Sequence, residues 1–305
     1  MIDVVSTEVA AMVTARYGLG EALGPPVYAA RGELGRIWRL DTARGSWAVK
    51  EALVPVAEED AEADVAYQLA AAAAGVPLPR PVHTLDGRVT VSGPGAVLRV
   101  YEWVDLDLSA GEPTPAELGA MLARLHTVAH PARGPVVSWF ADPLGEAAWH
   151  ELAASAAGAP WEAALSVHLA DLVALDALVR PPDPARVTTC HRDFHGENVR
   201  RTADGPLVVL DWENSGPAQP ERELAGLLWD LGEGAAEAAA AYGGAVLEPA
   251  DFSMAIVVQG HLLQFYGRRA LDEAESRENR SRSEARLAAM LARPLTPAAV
   301  DALLS

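Results

Sequence analysis

At 305 residues, half of them apolar, the chain is long enough to bury a substantial core as one large domain or two lobes. Its 24 basic and 42 acidic residues leave a formal charge of −18, which repels phosphate backbones and argues against a nucleic-acid partner. One cysteine, Cys190, excludes an internal disulfide framework. No apolar run is long and pure enough for a bilayer, and the first residues lack a basic secretory n-region, so a cytoplasmic protein without a membrane partner is expected.

Residues 7–17 predict a short amphipathic helix. Three strands follow, at 27–30, 36–41 and 46–52, joined by the RGELG turn and a TARG turn. The acidic, Ala-rich stretch AEEDAEADVAYQLAAAAAG has high helix propensity and should end at Gly75, before PLPRP breaks any helix. PVHTLDGRVTVSG and AVLRVYEWV predict a further strand pair with a turn at Asp86-Gly87. After Val104 a polar connection leads into helical patterns at 114–128, 161–179, 221–231, 251–271 and 281–291. The first of these carries Leu118, Leu122 and Leu125 on one face. NVRRT and PLVVLD, flanking Ala203-Asp204-Gly205, are the single β insertion in that half. The class is α+β, with a small β-rich lobe over 1–104 and a larger, mainly helical lobe over 105–305.

The chemistry concentrates in CHRDFHGENVRRTADGPLVVLDWE, residues 190–213. Asp193 is a base-like carboxylate, Asn198 follows five positions later, and Asp211 closes an apolar run. Such an Asp can take or orient the proton of an attacking hydroxyl, and phosphoryl transfer depends mainly on positioning and charge neutralisation. An Asn amide and an Asp carboxylate supply the oxygen donors that Mg²⁺ prefers. Taken singly, these are ordinary turn and strand-end residues; the combination and spacing point to a phosphotransferase loop. His191 and His195 read as braces for that loop. A metallohydrolase triad of His191, Asp193 and His195 is geometrically conceivable, but leaves Asn198 and Asp211 without a role. Upstream, Lys50 in WAVK is the only lysine, in a chain whose other basic residues are all Arg. That exception suggests a site that wants a compact ammonium rather than a planar fork.

These segments resemble the aminoglycoside phosphotransferase family, the kinase-like small-molecule phosphotransferases related to choline, homoserine and fructosamine kinases. The strand lysine, a helix glutamate, GVPLP, a hinge, LARLH, HRDFHGEN and LDWE occur in the family's order between Val27 and Leu231. The resemblance implies a bilobal protein-kinase-like fold in which Asp193 is catalytic and Asn198 and Asp211 hold Mg²⁺. Lys50 would contact the phosphates of ATP or GTP, with Glu62 as its carboxylate partner and Glu58, Glu59 and Asp64 as close alternatives. Gly32 and Gly35 of the RGELG turn would lie over the phosphates, although a plain hairpin explains them equally well. Tyr101 and Trp103, in the stretch 101–104, would form the hinge for the adenine. AQPERELA places Glu223 where relatives often have Asp.

The expected activity is Mg²⁺-dependent transfer of the γ-phosphoryl group of ATP or GTP to a hydroxyl of a small molecule, by a monomer or weak dimer. The acidic total favours a cationic acceptor, an aminoglycoside or another amine-bearing antibiotic or sugar. Glu213, Glu223 and Asp230 are the acids that would face it, with Trp212 as a stacking wall; each is equally readable as ordinary structure. A choline-, homoserine- or sugar-type metabolite kinase and a non-catalytic nucleotide-binding pseudokinase are the alternatives.

Overall fold

The computed structural model describes residues 7–32, 35–93 and 96–305. Its contacts divide the chain into two compact units. The first is Met1–Thr114, Thr127–His130 and Asp193–Gly216; the second is Pro115–His126, Pro131–Arg192 and Pro217–Ser305.

In the first unit, helix α1 (Thr7–Tyr17) precedes β1 (Val27–Arg31), β2 (Gly35–Thr42) and β3 (Gly45–Ala52), close to the boundaries that the sequence predicts. Helix α2 (Glu58–Ala73) follows, then β4 (Pro81–Val82), β5 (Val91–Gly93) and β6 (Ala96–Glu102). The sheet order is β1-β2-β3-β6-β4, with β5 also on β6. The expected turn at Asp86-Gly87 is present, with Gly87 at φ 85°. The expected pairing of the two flanking segments is made through β6, which both β4 and β5 join.

Alternation along the strands decides which side chains meet. Trp38, Val49 and Val100 are cross-strand neighbours and pack with Val9, Val13 and Tyr17 of α1 in one apolar core. The next row, Ile37, Lys50 and Arg99, therefore projects from the opposite face. The Tyr17 hydroxyl donates to the carbonyls of Val89 (3.0 Å) and Leu98 (3.3 Å), fastening α1 to the far side of the sheet. Helix α2 stops where predicted, at Gly75, whose φ of 81° suits a residue without a Cβ. Strands β7 (Val199–Arg201) and β8 (Leu207–Val209) form the expected hairpin around the Ala203-Asp204-Gly205 turn.

The second unit is mainly helical. It contains α3 (Pro115–His126), α4 (Ser138–Ala141), α5 (Glu146–Ser155), α6 (Glu162–Asp176), α7 (Pro220–Leu231), α8 (Ala235–Tyr242), α9 (Ser253–Leu271), α10 (Arg277–Ala292) and α11 (Pro297–Leu304). Leu118, Leu122 and Leu125 are buried as the spacing requires, each contributing about 1.5–3 kcal/mol. Gly119 lets α3 approach α8, since a Cβ there would lie 2.1 Å from the Ala238 carbonyl oxygen. Trp149, Leu165, Leu172, Phe252, Ile256, Leu263 and Leu287 form the main core. Helices α4, α5 and α11 lie outside the predicted segments; all are short, and α5 mixes Trp and Leu with many alanines. Among the described residues no single helix is long and apolar enough to cross a membrane.

Candidate active site

Within the first unit, Lys50, Asp193, Asn198, Asp211 and Glu213 are set by three adjoining pieces: β3, the loop before β7 and the turn after β8. Strand β3 fixes Lys50. Its Nζ lies 2.7 Å from Asp211 Oδ1 and 2.7 Å from Glu213 Oε2. Burial alone would depress the ammonium, but the Glu213 and Asp211 charges outweigh it and hold Lys50 protonated well above its ordinary range. Asp211 is likewise desolvated, yet the Lys50 charge holds its carboxyl below the usual value.

Asp211 adopts φ 59°, ψ 63°, the left-handed region that Asp tolerates better than most residues. Arg192, immediately before Asp193, is the other non-glycine residue at positive φ (63°) among the described residues. Backbone in sparsely populated regions concentrates at sites where side-chain direction matters more than local comfort. Here it redirects the chain at the residue before the base-like Asp and at the second Asp of the motif.

The Asp193 carboxylate accepts a hydrogen bond from Asn214 Nδ2 at 3.1 Å and lies 3.4 Å from His195 Nε2. His195 also accepts from the Glu197 amide through Nδ1, so it braces the loop as expected. Asn198 donates from Nδ2 to the Asp193 carbonyl at 2.9 Å. Its amide oxygen is left for another partner, while the Asp211 side chain is 47% exposed. Oxygen donors of this kind, partly open to solvent, fit a hard divalent cation.

The pairing of Lys50 differs from the sequence expectation. Glu62 lies on the exposed side of α2, because the buried positions of that helix are Ala61, Asp64, Val65, Tyr67, Gln68 and Ala71. The inward carboxylate is Asp64, and it contacts Arg99 Nη1 at 2.5 Å rather than Lys50. The helical periodicity of that apolar face was the signal that would have picked Asp64 over Glu62.

Gly35 fits beside the lysine: a Cβ there would be 3.3 Å from Lys50 Cε and 3.1 Å from the Glu51 carbonyl oxygen. Gly32 closes the turn, its amide donating to the Gly35 carbonyl at 2.9 Å; Glu33 and Leu34 lie outside the described residues. Tyr101 is buried on the Lys50 face and its hydroxyl donates to Glu213 Oε1 at 3.4 Å. Trp103 stacks under the Arg39 guanidinium and donates from Nε1 to Asp105. The backbone amides of Glu102 and Trp103 are already committed to the carbonyls of Arg80 and Ser46.

The residues expected to face an acceptor have other duties. Glu213 is a partner of Lys50. Trp212 is 3% exposed, donates from Nε1 to the Val209 carbonyl and meets Tyr67 edge-on, leaving no face for a ligand. Glu223, in the second unit, is also 3% exposed. It meets His126 Nε2 at 2.8 Å and accepts from the Arg192 amide, while His126 Nδ1 meets the Tyr242 hydroxyl at 2.8 Å. Burial pushes the Glu223 carboxyl up, but the His126 hydrogen bond and charge hold it below its ordinary value. Cys190 lies near enough to His126 and Glu223 for a three-ligand metal cluster. Here both His126 nitrogens take part in hydrogen bonds, Nδ1 with Tyr242 and Nε2 with Glu223, and burial pushes the Cys190 thiol up. Asp230 is exposed; its carbonyl accepts from Arg293.

Residues 28–255 match the family described as Phosphotransferase enzyme family. Spectinomycin phosphotransferase, solved with ADP and spectinomycin, shares the fold with a TM-score of 0.71 at 15% identity, covering 98% of each chain. A microcompartment-associated aminopropanol kinase gives 0.65 at 18% identity, covering 94% of this chain and 95% of its own. Choline kinase from Streptococcus pneumoniae gives 0.58 at 15% identity, covering 93% and 98% respectively. At these identities the likeness establishes the fold, which is kinase-like and α+β. No curated protein matches the chain at the sequence level.

Proposed function

The chain belongs to the phosphotransferase enzyme family, and we propose that it transfers the γ-phosphoryl group of ATP or GTP to a hydroxyl of an amine-bearing small molecule. The observation that carries this reading is the convergence of the only lysine on the Asp211 and Glu213 carboxylates, in the same unit as Asp193 and Asn198. Asp193 orients the acceptor hydroxyl and receives its proton, steadied by Asn214 and His195. Asp211 and Asn198 are the residues that would hold Mg²⁺, which when bound neutralises phosphate charge. Lys50 exchanges its carboxylate partners for phosphate oxygens of the nucleotide.

An aminoglycoside or another amine-bearing antibiotic or sugar is the favoured acceptor class, supported by the −18 charge. Kinases named for spectinomycin, aminopropanol and choline have the same fold. A metabolite kinase fits the same loops. The intact set of Lys50, Asp193, Asn198 and Asp211 weighs against a pseudokinase. The test is nucleotide consumption with Mg²⁺, ATP or GTP, and a panel of aminoglycosides, amino alcohols and sugars. Acceptor-dependent consumption is expected. Nucleotide binding without turnover on any acceptor would favour the pseudokinase.

A further inference from the structure

The short turn after Asp211 sends consecutive side chains in different directions, because a 3₁₀ turn has about three residues per revolution. It comprises Trp212–Asn214 and is closed by the Ser215 amide on the Trp212 carbonyl at 2.9 Å. Trp212 pins it: the ring is buried, donates to the Val209 carbonyl at 3.0 Å and meets Tyr67 edge-on. Glu213 reaches Lys50 at 2.7 Å. Asn214 takes the remaining direction and meets Asp193, 21 positions earlier, with Nδ2 3.1 Å from Oδ2. A carboxylate only accepts hydrogen bonds, so the end of the Asn214 amide that faces it is the donating NH₂.

The two oxygens of Asp193 are therefore unlike. Oδ2 is held by Asn214, whereas Oδ1 has the longer contact, 3.4 Å from His195 Nε2, and the side chain remains 34% exposed. An amide suits the holding role. A charged donor would favour the ionised carboxylate strongly and so weaken it as a base; a neutral donor fixes its plane with a smaller loss of basicity. The amide also has no site that competes for the transferred proton.

We propose that Asn214 is a positioning residue for phosphoryl transfer: by holding Oδ2 it fixes the plane of the Asp193 carboxylate and leaves Oδ1 to receive the acceptor proton. As the acceptor oxygen bonds to the γ-phosphorus and the bond from that phosphorus to the nucleoside diphosphate breaks, the hydroxyl proton passes to Oδ1. The inference rests on Asp193 being the base of the function proposed above.

The test compares Asn214→Leu, which keeps the size and removes the donor, with Asn214→Asp, which keeps the shape and puts an acceptor in its place. One readout is kcat with the most rapidly phosphorylated member of the aminoglycoside, amino-alcohol and sugar panel. The other, taken without acceptor, is titration of the Asp193 carboxyl by carbon NMR, its resonance identified by its loss in Asp193→Asn. In Asn214→Leu, kcat should fall about tenfold, and affinity for a non-hydrolysable ATP analogue with Mg²⁺ should stay within about threefold of wild type. The Asp193 titration should move to higher pH, because a hydrogen bond to the charged form is gone. In Asn214→Asp at about pH 8 two carboxylates face each other and kcat falls further. Towards about pH 5.5 the pair shares a proton, one carboxyl again donates to the other, and the deficit relative to wild type at the same pH narrows.

An Asn214→Leu protein with wild-type kcat overturns the proposal, as does an unmoved Asp193 titration. A loss of nucleotide affinity as large as the loss of kcat does so too, since it marks a damaged turn rather than a misplaced base. An Asn214→Asp deficit that is the same at every pH is equally fatal, and is readable even if the leucine variant does not fold. Failure of the wild type on every acceptor would instead strike the proposed function; the acceptor-free titration would still decide whether Asn214 holds Asp193.

Discussion

The carboxylates around Lys50 in the first unit and the carboxylate of Glu223 in the second are both drawn out of water, but they are neutralised in different ways. Asp211 and Glu213 share one flexible ammonium and keep part of their surface open. Glu223 is closed in by an imidazole and a backbone amide, and the imidazole is itself tied to Tyr242. The first arrangement is an ion cluster whose members can change partners at modest cost. The second is a fixed network in which losing one member strands the others. Acids in the same kinase-like chain are therefore divided between those left partly exposed on a shared ammonium and those locked in place to hold backbone. Glu223 does the latter at Arg192, the residue before Asp193.

The largest expected effect separates the two halves of the reaction site. Asp193→Ala should lower kcat by about 10²–10⁴, with nucleotide affinity within about threefold of wild type. Lys50→Met should reverse the pattern and weaken nucleotide affinity about tenfold or more. Steady-state kinetics with calorimetric nucleotide titration reads both; equal nucleotide affinity in Lys50→Met and wild type would remove Lys50 from the site.

Next in size is the brace. Glu223→Ala should destabilise the protein by about 3 kcal/mol, because it leaves His126 and the Arg192 amide buried without their acceptor. Glu213→Ala, at a partly exposed position, should cost well under half of that. Denaturant unfolding compares them, and equal losses would dissolve the contrast between fixed and exchangeable acids.

The smallest effect is a pH dependence. The folded state holds the Glu223 carboxyl below its ordinary value, so around pH 4 the native protein binds fewer protons than the unfolded chain. The resulting stability is present above the unfolded value of about 4.3 and is lost as pH falls through the folded one. The gap in melting temperature between wild type and Glu223→Gln should accordingly narrow as pH drops from about 6 to below 4. A gap that stays constant, or widens, contradicts the assigned charge state.

Much of this was readable along the chain because the relevant physics is local. Alternating strand patterns, the helix over 7–17, the stop at Gly75 and the 199–209 hairpin follow from side-chain period and turn chemistry. The spacing of Asp193, Asn198 and Asp211, with the solitary Lys50, sets the expectation of a phosphotransferase loop from the sequence alone. Partner choice is a different kind of question. Glu62 and Asp64 are two residues apart on one helix, and only the packing of α2 turns Asp64 inward and Glu62 out. Whether that inward acid meets Lys50 or Arg99 depends on a cross-strand register that brings residues 50 and 99 together. Trp212 and Glu223 looked equally suited to a ligand wall or to structure, and burial settled both as structure. Sequence determined which chemical groups this protein has and, within each segment, their order and direction. Tertiary structure alone decided which charges neutralise one another, since Coulomb pairing and desolvation act through distances that span 161 residues between Lys50 and Asp211.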